Sequence, residues 1–406
     1  MKILLINHYA GTPDLGMEYR PYYMAREWVR LGHDVTIVAA SQSHVRAKQP
    51  AGVGFSKVEY IDGIRYIWLR TPRYAGSGLG RILNMGAFLL HLALRTVPAL
   101  RERNYSAVIA SSTYPLDSIP AHWIARRCGA KFVFELHDLW PLSPMELGGY
   151  SPNHPFIRIM QWGEDYYCRH ADAVVSMLPC ALTHLQARGL DPTKWHYVPN
   201  GVVIEDWNTP VEVPISVREP LERAHVQGKF VVGYAGTIGI ANALDSFIDA
   251  AKLLDDRHQF VIVGQGPEAL RLRARIENEG IGNVLLLSAI PKLAIPNLLR
   301  LFDVGYIGLQ RQSLFRFGIS PNKIFDYMMA GLPFVQAIEA GNSPATDANC
   351  GIAVEPEDPK KIAEAILHLK SLDRATLASL GKNGQSYVQR THDITKLADI
   401  FLTALC

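Results

Sequence analysis

Cysteine is scarce in this 406-residue chain, and the cysteines present show no pairing pattern. They are odd in number, widely separated and without a CxxC pair: Cys128, Cys168, Cys180, Cys350 and Cys406. A disulfide framework or a zinc site needs regular spacing, so this pattern argues against both. It predicts reduced, buried thiols in a cytoplasmic protein.

Charge of one sign and long apolar runs are also missing. The 41 basic and 38 acidic residues nearly balance, so nothing indicates a nucleic-acid partner. The opening MKILLI is too short an apolar run for a signal peptide. The nearest approach to a membrane span is Ile82–Leu100, which polar residues interrupt and arginines flank. Its default interpretation is a buried helix, and the alternative is an interfacial helix resting on anionic lipid.

Predicted strands and helices alternate along the chain. The first unit of this kind comprises a strand at Lys2–Ile6, an amphipathic helix at Pro21–Leu31 and a strand at Val35–Ala40. Repetition of such units is typical of parallel sheets covered by helices on both faces. The fold class is therefore predicted to be α/β.

The length favours two domains over one core. Trp207–Gln227 contains three prolines and no clean period, so we interpret it as the linker that opens the second domain. We predict two Rossmann-like domains, at residues 1–206 and 207–390. A last helix, within residues 391–406, would cross back towards the first domain.

The stretch Phe317–Pro333, FGISPNKIFDYMMAGLP, predicts a short helix with an anion site at its start. The capping signals are Ser320 at the N-cap, Pro321 at the first helical position, and Gly331 with Pro333 at the end. Asn322, Lys323 and Asp326 lie opposite the apolar face. Unbonded N–H groups and a lysine in the first turn suit a phosphate. The alternative is an ordinary capped helix with a solvated lysine.

Two glycine-rich turns follow predicted strands in the same domain. One contains Gly233, Gly236 and Gly239, and the other contains Gly264 and Gly266. Glycine lets the backbone approach a ligand closely, and ligands bind beyond the carboxyl ends of parallel strands. With the helix start, these turns predict a nucleoside diphosphate site. The candidate donor-binding residues are Gly236, Thr237, Gly239, Gly264, Gly266, Ser320, Pro321, Asn322 and Lys323.

The loops of the first domain exclude one class and suggest one residue. The loop Asn7–Arg20 lacks GxGxxG, and no carboxylate ends the second strand, which disfavours an NAD-dependent dehydrogenase. His137 follows the strand Phe132–Glu135 and is a candidate general base or partner of a sugar hydroxyl. The alternative is a loop histidine satisfied by the backbone.

The whole motif set resembles the family-4 glycosyltransferases of the GT-B fold. The motifs occur in the family order: GM at Gly16, GHDVTIVA, VPNGVV, GYAGTIG, VIVGQGP and FDYMMAGLPFV. DLWP and SPNKIFDYMMAG are similar to the fucosamine-type subgroup of bacterial surface polysaccharide synthesis. The resemblance implies two facing Rossmann-like domains across a cleft, a nucleotide-sugar donor in the second domain and an acceptor in the first. It also implies retention of anomeric configuration.

The resemblance suggests roles for single residues. It implies catalytic roles for His137, Lys323 and Asp326, and acceptor binding by Gly16, Met17, Glu18 and Arg20. No DxD pair is present, so no metal and no other cofactor is expected, and Lys323 would neutralise the diphosphate, with Arg311 or Arg316. The chain departs from the family at Gly318, where a glutamate is usual, and it lacks the arginine and lysine usual after GYAG.

The predicted activity is transfer of a sugar from a nucleotide sugar, UDP-linked by expectation, to a saccharide or lipid-linked saccharide in cell-surface polysaccharide or O-antigen synthesis. The departure at Gly318 suggests a donor that lacks some hydroxyls, such as a deoxy-aminosugar. The expected location is cytoplasmic, with peripheral contact at the inner membrane. The alternatives are a UDP-sugar epimerase on the same architecture and a non-catalytic nucleotide-sugar-binding homologue.

Overall fold

The computed structural model describes residues 1–16, 19–74, 76, 78–96 and 104–406. It divides into two compact units, one of residues Met1–Asn200 with Ile394–Cys406 and the other of residues Gly201–Asp393. One sheet of eight strands lies in the first unit and one of six in the second. This confirms the predicted α/β class.

The first unit is built on a sheet in the order β3-β4-β2-β1-β5-β6-β7-β8 once its strands are numbered along the chain. They are β1 Lys2–Ile6, β2 Asp34–Ala40, β3 Ser56–Ile61, β4 Ile64–Leu69, β5 Ala107–Ala110, β6 Lys131–Leu136, β7 Ala173–Ser176 and β8 Trp195–Tyr197. The central strands β1 and β5 are fully buried apart from Lys2, as expected for a sheet covered on both faces.

The sheet is parallel, as predicted, except at one edge, where β3 and β4 pair antiparallel. Asp62 and Gly63 join them with φ of 49° and 79°. Two consecutive positive φ values are typical of a tight hairpin turn, for which Asp-Gly is a preferred pair. Such a turn leaves no room for the crossover that a parallel pair requires.

Helices cover both faces of this sheet. They are α1 Arg20–Arg30, α2 Leu79–His91, α3 Ser118–Cys128, α4 Leu142–Glu146, α5 Pro155–His170 and α6 Leu182–Ala187, and a π-helical turn, Leu92–Thr96, continues α2. The terminal helix, Ile394–Leu405, belongs to this unit. It packs on α1, where Trp28 Nε1 donates to the Ala398 carbonyl at 3.2 Å and the Trp28 and Phe401 rings lie 5.1 Å apart.

The second unit has an all-parallel sheet in the order β11-β10-β9-β12-β13-β14. Its strands are β9 Phe230–Ala235, β10 His258–Val263, β11 Val284–Leu287, β12 Val304–Gly308, β13 Phe334–Ala337 and β14 Gly351–Val354. Its helices are α7 Ile215–Val226, α8 Leu244–Lys252, α9 Ala269–Asn278, α10 Ile295–Leu299, α11 Asn322–Met329, α12 Pro344–Asp347, α13 Pro359–Ser371 and α14 Arg374–Thr391.

Two predictions about local structure need correction. The supposed linker contains α7, which tolerates Pro220 because Val217, Leu221 and Ala224 form a buried face. The five cysteines form no disulfide, but not all of them are buried, because Cys180 and Cys406 are exposed.

Candidate active site

Helix α11 carries the predicted anion site, and its bounds differ slightly from the prediction. Pro321 occupies the N-cap position expected for Ser320, and the helix begins at Asn322. At the other end, Gly331 has a φ of 66°, and the N–H groups of Gly331 and Leu332 donate to the carbonyls of Met328 and Tyr327. This is a Schellman motif, and it ends the helix where the sequence predicted.

The three loops proposed for the donor converge in the second unit. The backbone N–H of Gly236 donates to Val263 at 2.9 Å, and that of Ile238 donates to Gln265 at 2.9 Å. A Cβ atom at Gly236 would collide with the Lys323 side chain, and one at Gly264 would collide with the Gly236 carbonyl. Glycine is therefore required where the turn after β9 meets the turn after β10 and helix α11.

Lys323 extends along this junction and is mostly buried. Its Nζ donates to Asn242 Oδ1 at 2.9 Å and lies 5.0 Å from the centre of the Tyr234 ring. Burial lowers the pKa of Lys323 to about 8, because an ammonium loses hydration there. Within the described chain no carboxylate is paired with Lys323. An incoming anion would thus supply the missing counter-charge.

Asp326 lies one helical turn after Lys323. Burial raises its pKa to about 6, although Lys292 and Lys323 favour the charged form. Asp206, which also raises the pKa, lies 3.7 Å from Lys292 Nζ. A carboxyl group with such a pKa exchanges a proton close to neutrality and can either accept or donate a hydrogen bond.

The remaining donor candidates surround this junction with different exposure. Thr237 and Asn322 are exposed, whereas Gly239, Gly266, Ser320 and Pro321 are partly buried. Ile319 is fixed by two hydrogen bonds with Asn342, at 2.7 and 3.1 Å. The preceding Gly318 has a φ of 99°, which a glutamate rarely adopts.

The two arginines suggested as helpers are held elsewhere. Arg311 pairs with Glu339 and, at 2.9 Å, with Glu355. Arg316 lies 4.3 Å from the centre of the Phe317 ring and donates to the Ser313 carbonyl at 2.6 Å. A phosphate would have to compete with these contacts, which leaves Lys323 as the better-placed cation.

A second polar cluster lies in the first unit, where β1, β5 and β6 end. His137 Nε2 lies 3.0 Å from Ser111 Oγ and 3.2 Å from Glu135 Oε2. Ser111 Oγ lies 2.6 Å from the same carboxylate oxygen, and Asn7 Nδ2 donates to the Ser111 carbonyl at 2.6 Å. The His137 side chain is only 4% exposed. These contacts fix the orientation of its imidazole.

Arg20 completes this cluster. Its Nε donates to Glu135 Oε1 at 2.7 Å, and its terminal nitrogens donate to the carbonyls of Val198 and Pro199 at 2.8 and 2.6 Å. Burial would raise the pKa of Glu135, but the charge of Arg20 and the contacts from His137 and Ser111 outweigh burial and hold the pKa far below its usual range.

These contacts bear on the predicted acceptor residues. Arg20 is buried and engaged on all sides of its guanidinium, so its observed role is to tie β6 to the segment after β8, and its acceptor role stays a prediction. Gly16, at φ 91°, packs against Ala47. Met17 and Glu18 lie outside the described residues.

Sequence patterns missed several members of both clusters. Asn242 lies in the run Ile240–Ala243, whose distinguishing feature in the sequence is the lack of the arginine and lysine usual after GYAG. Ser111 directly follows β5, and Glu135 lies near the end of β6. Their position at the carboxyl ends of strands is the signal by which they could have been found. Tyr234 is an interior strand residue with no polar signal.

Comparison with known families agrees with this architecture. A "Glycosyl transferase 4-like domain" matches residues 16–201, and "Glycosyl transferases group 1" matches residues 229–371. Together the two matches cover most of the chain. The chain belongs to the glycosyltransferases, with a 4-like domain followed by a group 1 domain. The family boundaries follow the two units, so the His137 cluster lies in the first family domain and Lys323 in the second.

Individual relatives of this glycosyltransferase are distant but cover it almost completely. WcaI of Escherichia coli K12, named as a colanic acid biosynthesis glycosyl transferase, is 22% identical over 381 residues, 90% of each chain. The structure of Anabaena Alr3699/HepE in complex with UDP and glucose has a TM-score of 0.68 at 16% identity, covering 99% and 98% of the two chains. WaaG, involved in lipopolysaccharide biosynthesis, has a TM-score of 0.67 at 14% identity, covering 100% and 99%.

No helix in the described part of this glycosyltransferase is both long and apolar enough to cross a bilayer.

Proposed function

We propose that the protein is a retaining glycosyltransferase that takes its sugar from a UDP-linked donor. The observation that carries the proposal is the junction of the two glycine turns with Lys323, a mostly buried cation whose recorded polar partner is an amide oxygen. A diphosphate fits such a group. The comparison with HepE, which was solved with UDP and glucose, supports the choice of base.

Lys323 and the start of α11 act on the leaving group. As the bond between sugar and phosphate breaks, negative charge builds up on the diphosphate, and a nearby ammonium with helical N–H groups stabilises that charge more than the ground state. The glycine turns, from Gly236 to Gly239 and at Gly264 and Gly266, receive the base and ribose. Asp326 contacts the donor, and Ser320, Pro321 and Asn322 line the phosphate side.

His137 acts on a substrate hydroxyl from the first unit. Its Nε2 is held by Ser111 and Glu135, so its ring does not have to be ordered when substrate binds, and this preorganisation favours a hydrogen bond that strengthens in the transition state. The acceptor binds the loop that contains Gly16, Met17, Glu18 and Arg20.

The acceptor is a saccharide or lipid-linked saccharide of a surface polysaccharide such as an O-antigen. The relatives named for colanic acid and lipopolysaccharide biosynthesis support this class. The donor is a hexose or a deoxy-aminosugar of the fucosamine type, and the protein works peripherally at the cytoplasmic membrane face. The φ of Gly318 favours a donor site built without the usual glutamate.

A thermal-shift panel of nucleotides and nucleotide sugars tests the donor, because a ligand that binds the folded state raises stability by mass action. We expect UDP and UDP-sugars to raise the melting temperature and ADP, GDP and their sugars to have little effect. The identified UDP-sugar is then incubated with and without membrane lipid from a polysaccharide-producing bacterium. Transfer with an unchanged anomeric configuration supports the proposal. An isomerised nucleotide sugar without acceptor supports the epimerase, and binding without any turnover supports a non-catalytic homologue.

A further inference from the structure

An apolar groove lies on the surface of the first unit. Three helical segments line it, and each contributes residues three or four positions apart, so each presents one face. The lining residues that the inference uses are Leu90 and Leu94 from α2 and its extension, Ile119 and Trp123 from α3, and Ile159 and Trp162 from α5.

The apolar side chains of this groove are unusually exposed. Leu94 is 64% exposed, and Leu90 and Trp162 are each 55% exposed. Leu83, which lies two helical turns before Leu90 on α2, is 68% exposed. Contiguous exposed apolar surface on a soluble domain marks an interaction site.

The charge around the groove is mostly positive. Helices α2, α3 and α5 contain Arg81, Arg126, Arg127, Arg158 and Arg169, and their acidic residues are Glu164, which is buried and paired with His184 and Arg188, and Asp165, which is paired with Arg188. Arg126, Arg127 and Arg158 are exposed, and the Arg127 guanidinium lies 3.5 Å from the centre of the Trp123 ring. An arginine stacked on an exposed tryptophan presents an amphipathic pair.

We propose that this groove, with the surrounding arginines, docks the protein on an anionic phospholipid surface. Leucine and tryptophan side chains bury into the boundary between headgroups and acyl chains, where tryptophan is enriched, while the arginines meet lipid phosphates. The excess of arginines, with Glu164 and Asp165 both engaged in ion pairs, favours anionic lipid over a mixed-charge protein partner. The inference deepens the membrane contact of the proposed function and assigns it to three helices instead of the single Ile82–Leu100 segment.

Vesicle co-sedimentation of the full chain tests the surface. We expect binding to vesicles of equal parts phosphatidylglycerol and phosphatidylcholine, and at least tenfold weaker binding to phosphatidylcholine alone. The double variant L90S/W162S should weaken binding at least tenfold. The control V226S/L270S removes two residues of the second unit that are 88% and 81% exposed and should bind like the parent. The variant R126A/R127A should weaken binding about fivefold for each arginine, and salt should weaken it further.

Three results would overturn the proposal: equal binding to neutral vesicles, unchanged binding of L90S/W162S, or no vesicle binding while the parent self-associates and L90S/W162S does not. The last result would identify the groove as an interface between copies of the chain. The thermal shift with UDP separates this test from the donor proposal, because all three variants should respond to UDP as the parent does. That shift also shows that each variant is folded.

Discussion

The two polar clusters of this glycosyltransferase differ in the partners that they give to a buried cation. In the first unit Arg20 meets a carboxylate and two carbonyls, and Glu135 is in turn bonded by Ser111. In the second unit Lys323 meets an amide oxygen and an aromatic face, with no paired carboxylate among the described residues. Removing one partner of a satisfied buried charge destabilises the fold, whereas an under-satisfied buried charge is available to a ligand.

The shifts in pKa show the same contrast. The pKa of Glu135 is lowered despite burial because Arg20 favours its charged form. The pKa of Lys323 is lowered to about 8 because burial disfavours its charged form and the charge of Asp326 offsets this only in part. Perturbed ionisable groups occur both at structural ion pairs and at functional sites, and the partner distinguishes the two.

The largest effect we expect comes from removing the unpaired cation. Lys323→Ala should lower the transfer rate by about a thousandfold, in the range found when a preorganised electrostatic group is lost. UDP affinity should fall by about ten- to a hundredfold, as for a charge-assisted hydrogen bond. Calorimetric titration with UDP and a sugar-transfer assay measure the two effects.

Lys360→Ala is the matched control, because Lys360 is an exposed lysine in the first turn of α13. It should leave affinity, rate and melting temperature unchanged. Near-normal transfer by Lys323→Ala would remove the phosphate assignment, and a large loss of melting temperature would give Lys323 a structural role.

The second prediction breaks the paired cluster instead. Glu135→Ala should lower the free energy of unfolding of the first unit by about 3–5 kcal/mol, because Arg20 then remains charged and buried without its carboxylate. Urea denaturation measures this, and Glu364→Ala, at a side chain 67% exposed, should change it by less than about 0.5 kcal/mol. If Glu135→Ala proves as mild as its control, the cluster does not stabilise the unit.

The third prediction concerns a variant in which the Lys323 cluster resembles the Arg20 cluster, because its cation gains a carboxylate partner. Asn242→Asp would give Lys323 a carboxylate at the position of the present 2.9 Å contact. UDP affinity should fall by about tenfold or more, because the diphosphate must displace an internal anion and is repelled by it. Asn242→Ala removes the contact without adding charge and should change affinity less than about threefold. Equal losses in the two variants would show that the amide contact itself matters, and not the missing counter-charge.

Whether a feature could be predicted depends on how far apart in the sequence the interacting residues lie. Helix α11 could be located because its signals lie within a few residues of one another, and the alternation of strands and helices gave the α/β class. The partners in the clusters are remote: Arg20 and Glu135 are 115 residues apart, and Asn242 and Lys323 are 81 apart. A single sequence carries no signal for such pairs.

Local patterns also failed where two signals compete. Helix α7 forms around Pro220 because its buried face outweighs one lost hydrogen bond. The β3–β4 hairpin follows a clear Asp-Gly signal, which the expectation of parallel strands obscured. The α/β layers of the fold could therefore be predicted from the sequence. Of the candidate site, Lys323 could be predicted because its charge lies beside the local capping signals of α11.

The smallest expected effect is a dependence of stability on pH that has the same sign in both clusters but falls in an acidic interval for Glu135 and an alkaline one for Lys323. Glu135 has a lowered folded pKa, so its stabilisation is present above the unfolded pKa of about 4.3 and is lost as pH falls further. Lys323 has a folded pKa of about 8 against about 10.4 when unfolded, so the unfolded chain binds more protons in that interval and stability rises with pH there. UDP needs the charged amine, so its affinity should fall about tenfold from about pH 7 to about pH 9. Lys323→Met should bind UDP weakly with a flatter profile, and an unchanged alkaline fall in that variant would assign the titration to another group.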